Sequence, residues 1–242
     1  MQADFEKHYH ELEAIHWWFV SRRHLFLGFL TQVSKGSQVL DIGCSSGLML
    51  QALQEKGMQA TGVDISQEAV HLCQKKGFTA LCMDAASLSF PDQSFDCILA
   101  SDVLEHIEDD RQALSEWFRV LKPGGLLVLG VPAFSFLYSD HDVYNHHKRR
   151  YTSKQIKTLL QDQGFFLNKA TYWSFILFFP IAFFRLCSKF SFIKRVSSRY
   201  QLKKAPKSLN ALFKAILYLE NRWLQKHTLP VGVSVIALAR KP

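Results

Sequence analysis

From residue 38 onward the apolar positions of the chain fall into two rhythms. Gln38-Val-Leu-Asp-Ile42, Ala60-Thr-Gly-Val63, Phe78 to Met83, Phe95 to Ala100 and Leu126 to Val131 are short runs of apolar or β-branched residues, the pattern of strands. Between them Leu48 to Lys56, Gln67 to Lys76 and Asp109 to Leu121 repeat at helical spacing. Strand and helix alternating in this way predict βαβ units, hence an α/β protein with a parallel sheet covered by helices on both faces. Thr152-x-x-Gln155 is a capping-box pattern that opens a further helix ending near Gly164. Phe165 to Thr171 and Gly232 to Arg240 read as two more strands.

About sixty residues separate those last two strands, well beyond the usual length of a connection. They open with an aromatic block, Tyr172-Trp-Ser-Phe-Ile-Leu-Phe-Phe-Pro-Ile-Ala-Phe-Phe184. Leu209, Leu212, Phe213, Ile216, Leu217, Trp223 and Leu224 then mark an amphipathic helix. The stretch from Trp173 to Phe184 is shorter than the roughly 20 residues of a bilayer span and contains Pro180, so no membrane crossing is expected.

The 242 residues, 48% hydrophobic and 21% charged, exclude collagen-like, low-complexity and largely disordered chains and suit one domain with an elaboration. The net charge of +8 hides an asymmetry. Residues 1–140 hold 10 basic and 18 acidic side chains, residues 141–242 hold 19 and 3, and Arg185 to Lys226 holds eleven basic residues against Glu220 alone. Such a field attracts phosphates, whether on nucleic acid, lipid or a small substrate. The five cysteines make no C-x-x-C pair, which suits reduced thiols, and Met1 to His8 does not open a signal peptide, so a cytoplasmic setting is expected.

Val39-Leu-Asp-Ile-Gly-Cys-Ser-Ser-Gly47 carries the most chemistry: a strand, a glycine turn and a helix start place backbone amides at the carboxyl edge of the sheet, where ligands bind. A dinucleotide fingerprint starting at Gly43 would need glycine at positions held by Ser45 and Leu48, which disfavours a nicotinamide site. Asp64 ends the next strand about twenty residues on, where a carboxylate can accept from both hydroxyls of a ribose.

An ordered set of segments, Leu40-Asp-Ile-Gly-Cys-Ser-Ser-Gly47, Gly62-Val-Asp-Ile-Ser66, Met83-Asp-Ala85, Phe95-Asp-Cys-Ile-Leu-Ala-Ser-Asp-Val-Leu-Glu-His-Ile107 and Leu121-Lys-Pro-Gly-Gly125, resembles the class I S-adenosylmethionine-dependent methyltransferases of type 11/12. The resemblance covers about residues 20 to 132. It implies a Rossmann-like, doubly wound, mostly parallel seven-stranded sheet with an antiparallel last strand and a helical insertion before it. It also implies N-terminal cofactor-closing helices over 1–35, a cofactor domain over 36–171 and 229–242, and an acceptor or membrane element over 172–228. The cofactor would be S-adenosylmethionine, leaving as S-adenosylhomocysteine.

Residue by residue, the resemblance places Asp41, Gly43, Cys44, Ser45 and Gly47 around the methionine end, the two glycines keeping side chains out of the way. Ser45 stands where glycine is frequent. Asp64 would hold the ribose, Ile65 would line the adenine, and Asp84 with Ala85 would meet the adenine amino group. Ser101 would offer its carbonyl to the methionine amino group, with His106 further along the same segment. His16-Trp-Trp-Phe19 with Arg22 and Arg23 resembles a lead segment in which an arginine reaches the cofactor carboxylate; a packing helix with surface arginines fits the same residues. Asp41 would equally serve as a loop brace.

Asp140-His-Asp-Val-Tyr-Asn-His-His-Lys-Arg-Arg-Tyr151 follows the strand ending near Pro132 and lies where an acceptor must arrive. A hydroxyl acceptor needs a base of near-neutral pKa, for which His141, His146 and His147 are the candidates, and Lys148, Arg149 and Arg150 could take a phosphate. The His-x4-His-His spacing matches no ligand signature, so no metal is expected. The expected activity is methyl transfer to oxygen, or to nitrogen, of a small or lipid-linked acceptor; 172–228 suits an anionic membrane surface on the inner face of the membrane, a tunnel for a lipid-linked acceptor, or ordinary packing on the core. An RNA methyltransferase and a cofactor-binding module without turnover are the alternatives; the acceptor and the oligomeric state are not specified by the sequence.

Overall fold

Strands β1 Gln38–Ile42, β2 Gln59–Asp64, β3 Thr79–Cys82, β4 Phe95–Ser101, β5 Leu121–Pro132, β6 Phe166–Trp173 and β7 Ser234–Arg240 form one sheet in the order β3-β2-β1-β4-β5-β7-β6 in the computed structural model. The structure describes residues 10–188 and 205–242; the start of the 1–35 segment and part of the basic run within 172–228 lie outside the described residues. β1 to β5 run parallel, and β7 enters antiparallel between β5 and β6. This is the Rossmann-like arrangement the resemblance implies.

The central strands are buried on both faces, which is why they read as nearly continuous apolar runs, whereas β3 at one edge buries only Ala80. On one face lie helices α1 Trp17–Phe29, α2 Leu48–Glu55, α3 Gln67–Lys75 and α8 Lys207–Leu224, which contribute Phe26, Leu50, Cys73 and Leu217 to a common core. On the other lie α4 Asp110–Val120 and α6 Ser153–Asp162, with Trp117 and Ile156. Ser66, Asp109 and Thr152 cap their helices with side-chain oxygens, and the expected Thr152–Gln155 capping box is formed.

Three elements differ from expectation. β5 starts at Leu121, which pairs with Phe95 across a register shift, so Lys122-Pro-Gly-Gly125 lies inside the strand bounds and not before them. Tyr172 and Trp173, the first residues of the aromatic block, belong to β6. The acceptor loop contains a short helix, α5 Asp140–Tyr144, capped reciprocally by Ser139 and Asp142.

The insertion contributes α7 Phe175–Ser188 and α8, and α8 clamps the lead helix. Asn210 accepts from the Trp17 amide at 2.7 Å and donates to the Ile15 carbonyl, while Trp17 meets Phe213 edge-on. Asn221, 1% exposed, accepts from Trp173 Nε1 at 2.9 Å and donates to the Ser21 carbonyl at 2.8 Å, joining α8, β6 and α1. Glu220 accepts from the backbone amides of Ser174 and Phe175, so the one acid in the basic stretch serves the start of α7. Asn221→Ala leaves the buried Trp173 indole N–H unpaired; it should lower stability by about 2 kcal/mol, read from urea midpoints.

Candidate active site

The carboxyl ends of β1, β2 and β4 open into a cavity of 790 Å³ that is roofed by Trp17, Trp18 and Phe19 of α1 and reaches the acceptor loop at His141 and His147. After β1 the chain turns sharply: the Gly43 and Cys44 amides both donate to the Val63 carbonyl, and Gly43 holds φ +75 against Val103. Ser45 also adopts a left-handed φ of +48, a conformation that strains a residue with a Cβ. Its amide donates to Asp64 Oδ2 at 3.0 Å while the Ser66 amide donates to Oδ1 at 2.9 Å, so the carboxylate is aimed by two backbone groups. Gly47 does not line the cavity; its φ of +82 and its packing on Phe78 and Cys73 are what demand glycine there.

Asp41 is 5% exposed and its Oδ2 has no hydrogen-bond partner. Burial, with the neighbouring Cys73, Asp64 and Glu13, pushes its carboxyl well above the usual range. Glu13, absent from the sequence reading, accepts from the Ser46 amide. Asp41, Asp64 and Glu13 thus give this end of the cavity an acidic character.

Both arginines of the lead segment border the cavity, with different partners. Arg22 is buried, donates to Ser101 Oγ, pairs with Asp102 and lies over the Trp18 ring at 4.8 Å. Arg23 donates to the Glu13 carbonyl. Asp102, a second residue missed in the sequence, sits at φ +55 directly after β4. Ile65 is 77% exposed and, with Asp84 and Ala85, borders the far end of the cavity; Asp84 accepts from the Ala86 amide. Cys44 is buried against Cys73, with the sulfurs 3.9 Å apart.

At the acceptor end the organising group is Asp142, which is fully buried. It accepts from Ser139, from His147 Nδ1 at 2.8 Å and from Arg150 Nε at 2.7 Å, and Arg185 of α7 approaches to 3.6 Å. Burial alone would raise its pKa, but His147, Arg150 and Arg185 outweigh that and hold it below the usual carboxylate range. The phosphate role expected of the loop cations does not survive: Arg150 is buried on Asp142 and the Ala133 carbonyl, Arg149 pairs with Asp110, and Lys148 pairs with Glu108. His141 borders the cavity with its pKa pushed down to about 4 by burial and by Arg185, so it is neutral at physiological pH. His106 is likewise lowered to about 4, mainly by burial and then by His147. His146 is exposed at φ +57. Glu105, within the quoted fourth-strand segment yet not singled out there, is completely buried, with a pKa raised to about 8 by desolvation and partly offset by Arg22 and Arg150.

The sequence pattern of the methyltransferase domain family matches residues 40–129, the segment that builds the β1 turn, Asp64, Asp84 and the β4 edge. Residues 40–129 are a methyltransferase domain. An uncharacterised 37.1 kDa protein of transposon TN4556 in Streptomyces fradiae is 34% identical over 151 residues, which is 54% of this chain and 44% of that protein. A ubiquinone biosynthesis O-methyltransferase of Coxiella burnetii is 34% identical over 99 residues, 38% of this chain and 42% of the enzyme. The chain thus spans less than half the length of these relatives. An S-adenosylmethionine-dependent methyltransferase from Archaeoglobus fulgidus shares the fold, with TM-score 0.63 at 21% identity over 97% of this chain and 99% of that one.

The methyltransferase domain fits the cofactor of its class on two observations. The unpartnered Asp41 oxygen and the acidic surroundings suit a ligand carrying a sulfonium and an ammonium, and Gly43 leaves its backbone accessible beside Asp64. Because the folded-state pKa of Asp142 is depressed, its ion pairs stabilise the protein fully above about pH 4 and lose that contribution as pH falls below it. Asp142→Asn leaves the buried Arg150 without its counter-charge; at pH 7 it should cost about 3 kcal/mol in urea denaturation, and the difference from wild type should shrink toward pH 3.

Proposed function

We propose that the chain transfers a methyl group from S-adenosylmethionine to an oxygen, or less favourably a nitrogen, of a small or lipid-linked acceptor. The observation that carries this reading is one continuous cavity bordered by Asp41, Asp64 and Asp84 at one end and by His106, His141 and His147 at the other. When bound, the cofactor supplies a methyl carbon already activated by its sulfonium and leaves as S-adenosylhomocysteine. The chain then has three tasks. Asp64 and the acidic wall orient the donor, the aromatic roof of α1 excludes water, and the acceptor loop holds the nucleophile in line. Neutral His141 can accept a hydrogen bond from the attacking hydroxyl and orient it; with its pKa lowered to about 4 it is a weak base, so the proton passes on to water as the oxygen attacks, the C–S electron pair remaining on sulfur.

A lipid-linked acceptor is supported by α7. Its inner side brings Ile181 to the cavity and Arg185 to Asp142, whereas Ile176, Phe179 and Phe183 on the same helix are 54%, 56% and 72% exposed. Among the described residues no helix is long and apolar enough to cross a membrane, so these side chains suit contact with a lipid surface at the cavity mouth. The basic balance of the second part of the chain favours an anionic one.

Calorimetry should show binding of S-adenosylhomocysteine, weakened at least tenfold by Asp64→Ala. Product release should appear with membrane lipid extracts and not with bulk RNA; turnover with RNA alone, falling steeply with salt, would reverse the preference. The double variant Phe179→Ser/Phe183→Ser should keep nucleoside affinity and lose most co-sedimentation with anionic vesicles. Unchanged sedimentation would remove the lipid-surface reading.

A further inference from the structure

Behind the acceptor loop, Glu105, His106 and His147 bring one ligand atom each to within 4.8 Å of one another, from a turn after β4 and from the end of the α5 loop. Two features distinguish this trio from a chance cluster. Glu105 is fully buried and neither of its carboxyl oxygens has a partner in another residue among the described residues, an arrangement that costs free energy unless the group takes up a proton or a cation. Both imidazoles are also oriented from behind. His147 is held through Nδ1 by Asp142 at 2.8 Å, which leaves Nε2 as the free lone pair, 3.9 Å from Glu105 Oε1. The His106 ring is engaged by the backbone at His146. A carboxylate or carbonyl behind each metal-binding histidine is the usual way such ligands are oriented.

We propose that Glu105, His106 and His147 bind a divalent transition-metal ion of zinc-like character. Two imidazoles and one carboxylate are a donor set for Zn²⁺ and its neighbours in the series, and with bonds of about 2.1 Å the three donors need close on the ion by only about 1 Å. Three protein ligands leave a coordination position open, and two of them, His106 and His147, border the cavity where the acceptor arrives, with Glu105 buried behind them. The ion would hold the acceptor oxygen as a Lewis acid and ease loss of its proton to water. That role rests on the methyl-transfer reading; the binding of the ion does not. The spacing His-x4-His-His did not signal it, because one histidine of that set, His147, is completed by Glu105 and His106 from another part of the chain.

The test uses tag-free, EDTA-treated protein titrated with Co²⁺ alone. One equivalent should bind, with visible ligand-field absorption of low coordination number, and Zn²⁺ should displace it. Glu105→Gln and His147→Ala should each weaken binding at least tenfold, whereas His71→Ala at an exposed histidine should not. Circular dichroism melts and S-adenosylhomocysteine calorimetry on the same variants keep the result interpretable. Loss of Co²⁺ with native melting and intact nucleoside binding supports the site. Binding of less than one equivalent by folded wild type, or unaltered binding in both variants, overturns it even if the nucleoside binds. Catechol, an oxygen donor, should shift the Co²⁺ spectrum; an unshifted spectrum overturns the open position.

Discussion

A carboxylate stripped of water must find positive charge or take up a proton, and Asp142 is the place where this chain meets that constraint. Its two oxygens draw in Ser139, His147 and Arg150 from one loop and Arg185 from α7. Everything at the acceptor end follows from that convergence. The loop curls into α5, His147 is turned with Nε2 toward Glu105, and α7 is tied across the cavity mouth by its arginine. Of the loop cations, Arg150 is taken up by the protein's own buried anion, while Arg149 and Lys148 pair with Asp110 and Glu108.

The donor end is built on a different principle, backbone geometry. Parallel pairing of β1 with β2 and β4 brings their carboxyl ends to one edge, and the left-handed Ser45 in the β1 turn directs its amide at Asp64, which the Ser66 amide meets from the other side. Over this edge lies Arg22, stacked on Trp18 and within reach of the Trp173 ring, with Ser101 and Asp102 beneath it. The lead helix that carries Arg22 is held by Asn210 and Asn221 of α8, so the insertion reaches the donor end through α8 and the acceptor end through α7. The sixty residues that a minimal sheet does not require form a roof joining both halves of the cavity.

Several elements were legible beforehand because their signal is local. β1 and β4 are buried on both faces and read as apolar runs; Thr152 and Gln155 lie three residues apart and cap reciprocally; the amphipathic stripe from Leu209 to Leu224 is a helix. Gly43 and Asp64 were found by their place at strand ends, and both border the cavity. Other features were hidden because their partners are far apart. Glu13 reaches Ser46 across 33 positions, Arg185 reaches the loop from 43 positions away, and Tyr172 and Trp173 became strand because β7, sixty residues later, pairs with them. At Gly47 a further demand for glycine was hidden: Phe78 and Cys73 occupy the space its Cβ would need.

By itself the amino-acid order determined the alternation of strands and helices, the edge at which ligands gather and the class of donor chemistry, since periodicity, caps and glycine turns act over a few residues. Only the tertiary structure decided what Arg22 and Arg23 each bind, which cations are already paired, and that Glu105, His106 and His147 come within a few ångströms of one another. Those outcomes depend on burial and on distances of a few ångströms between segments remote along the chain, and no local pattern encodes them.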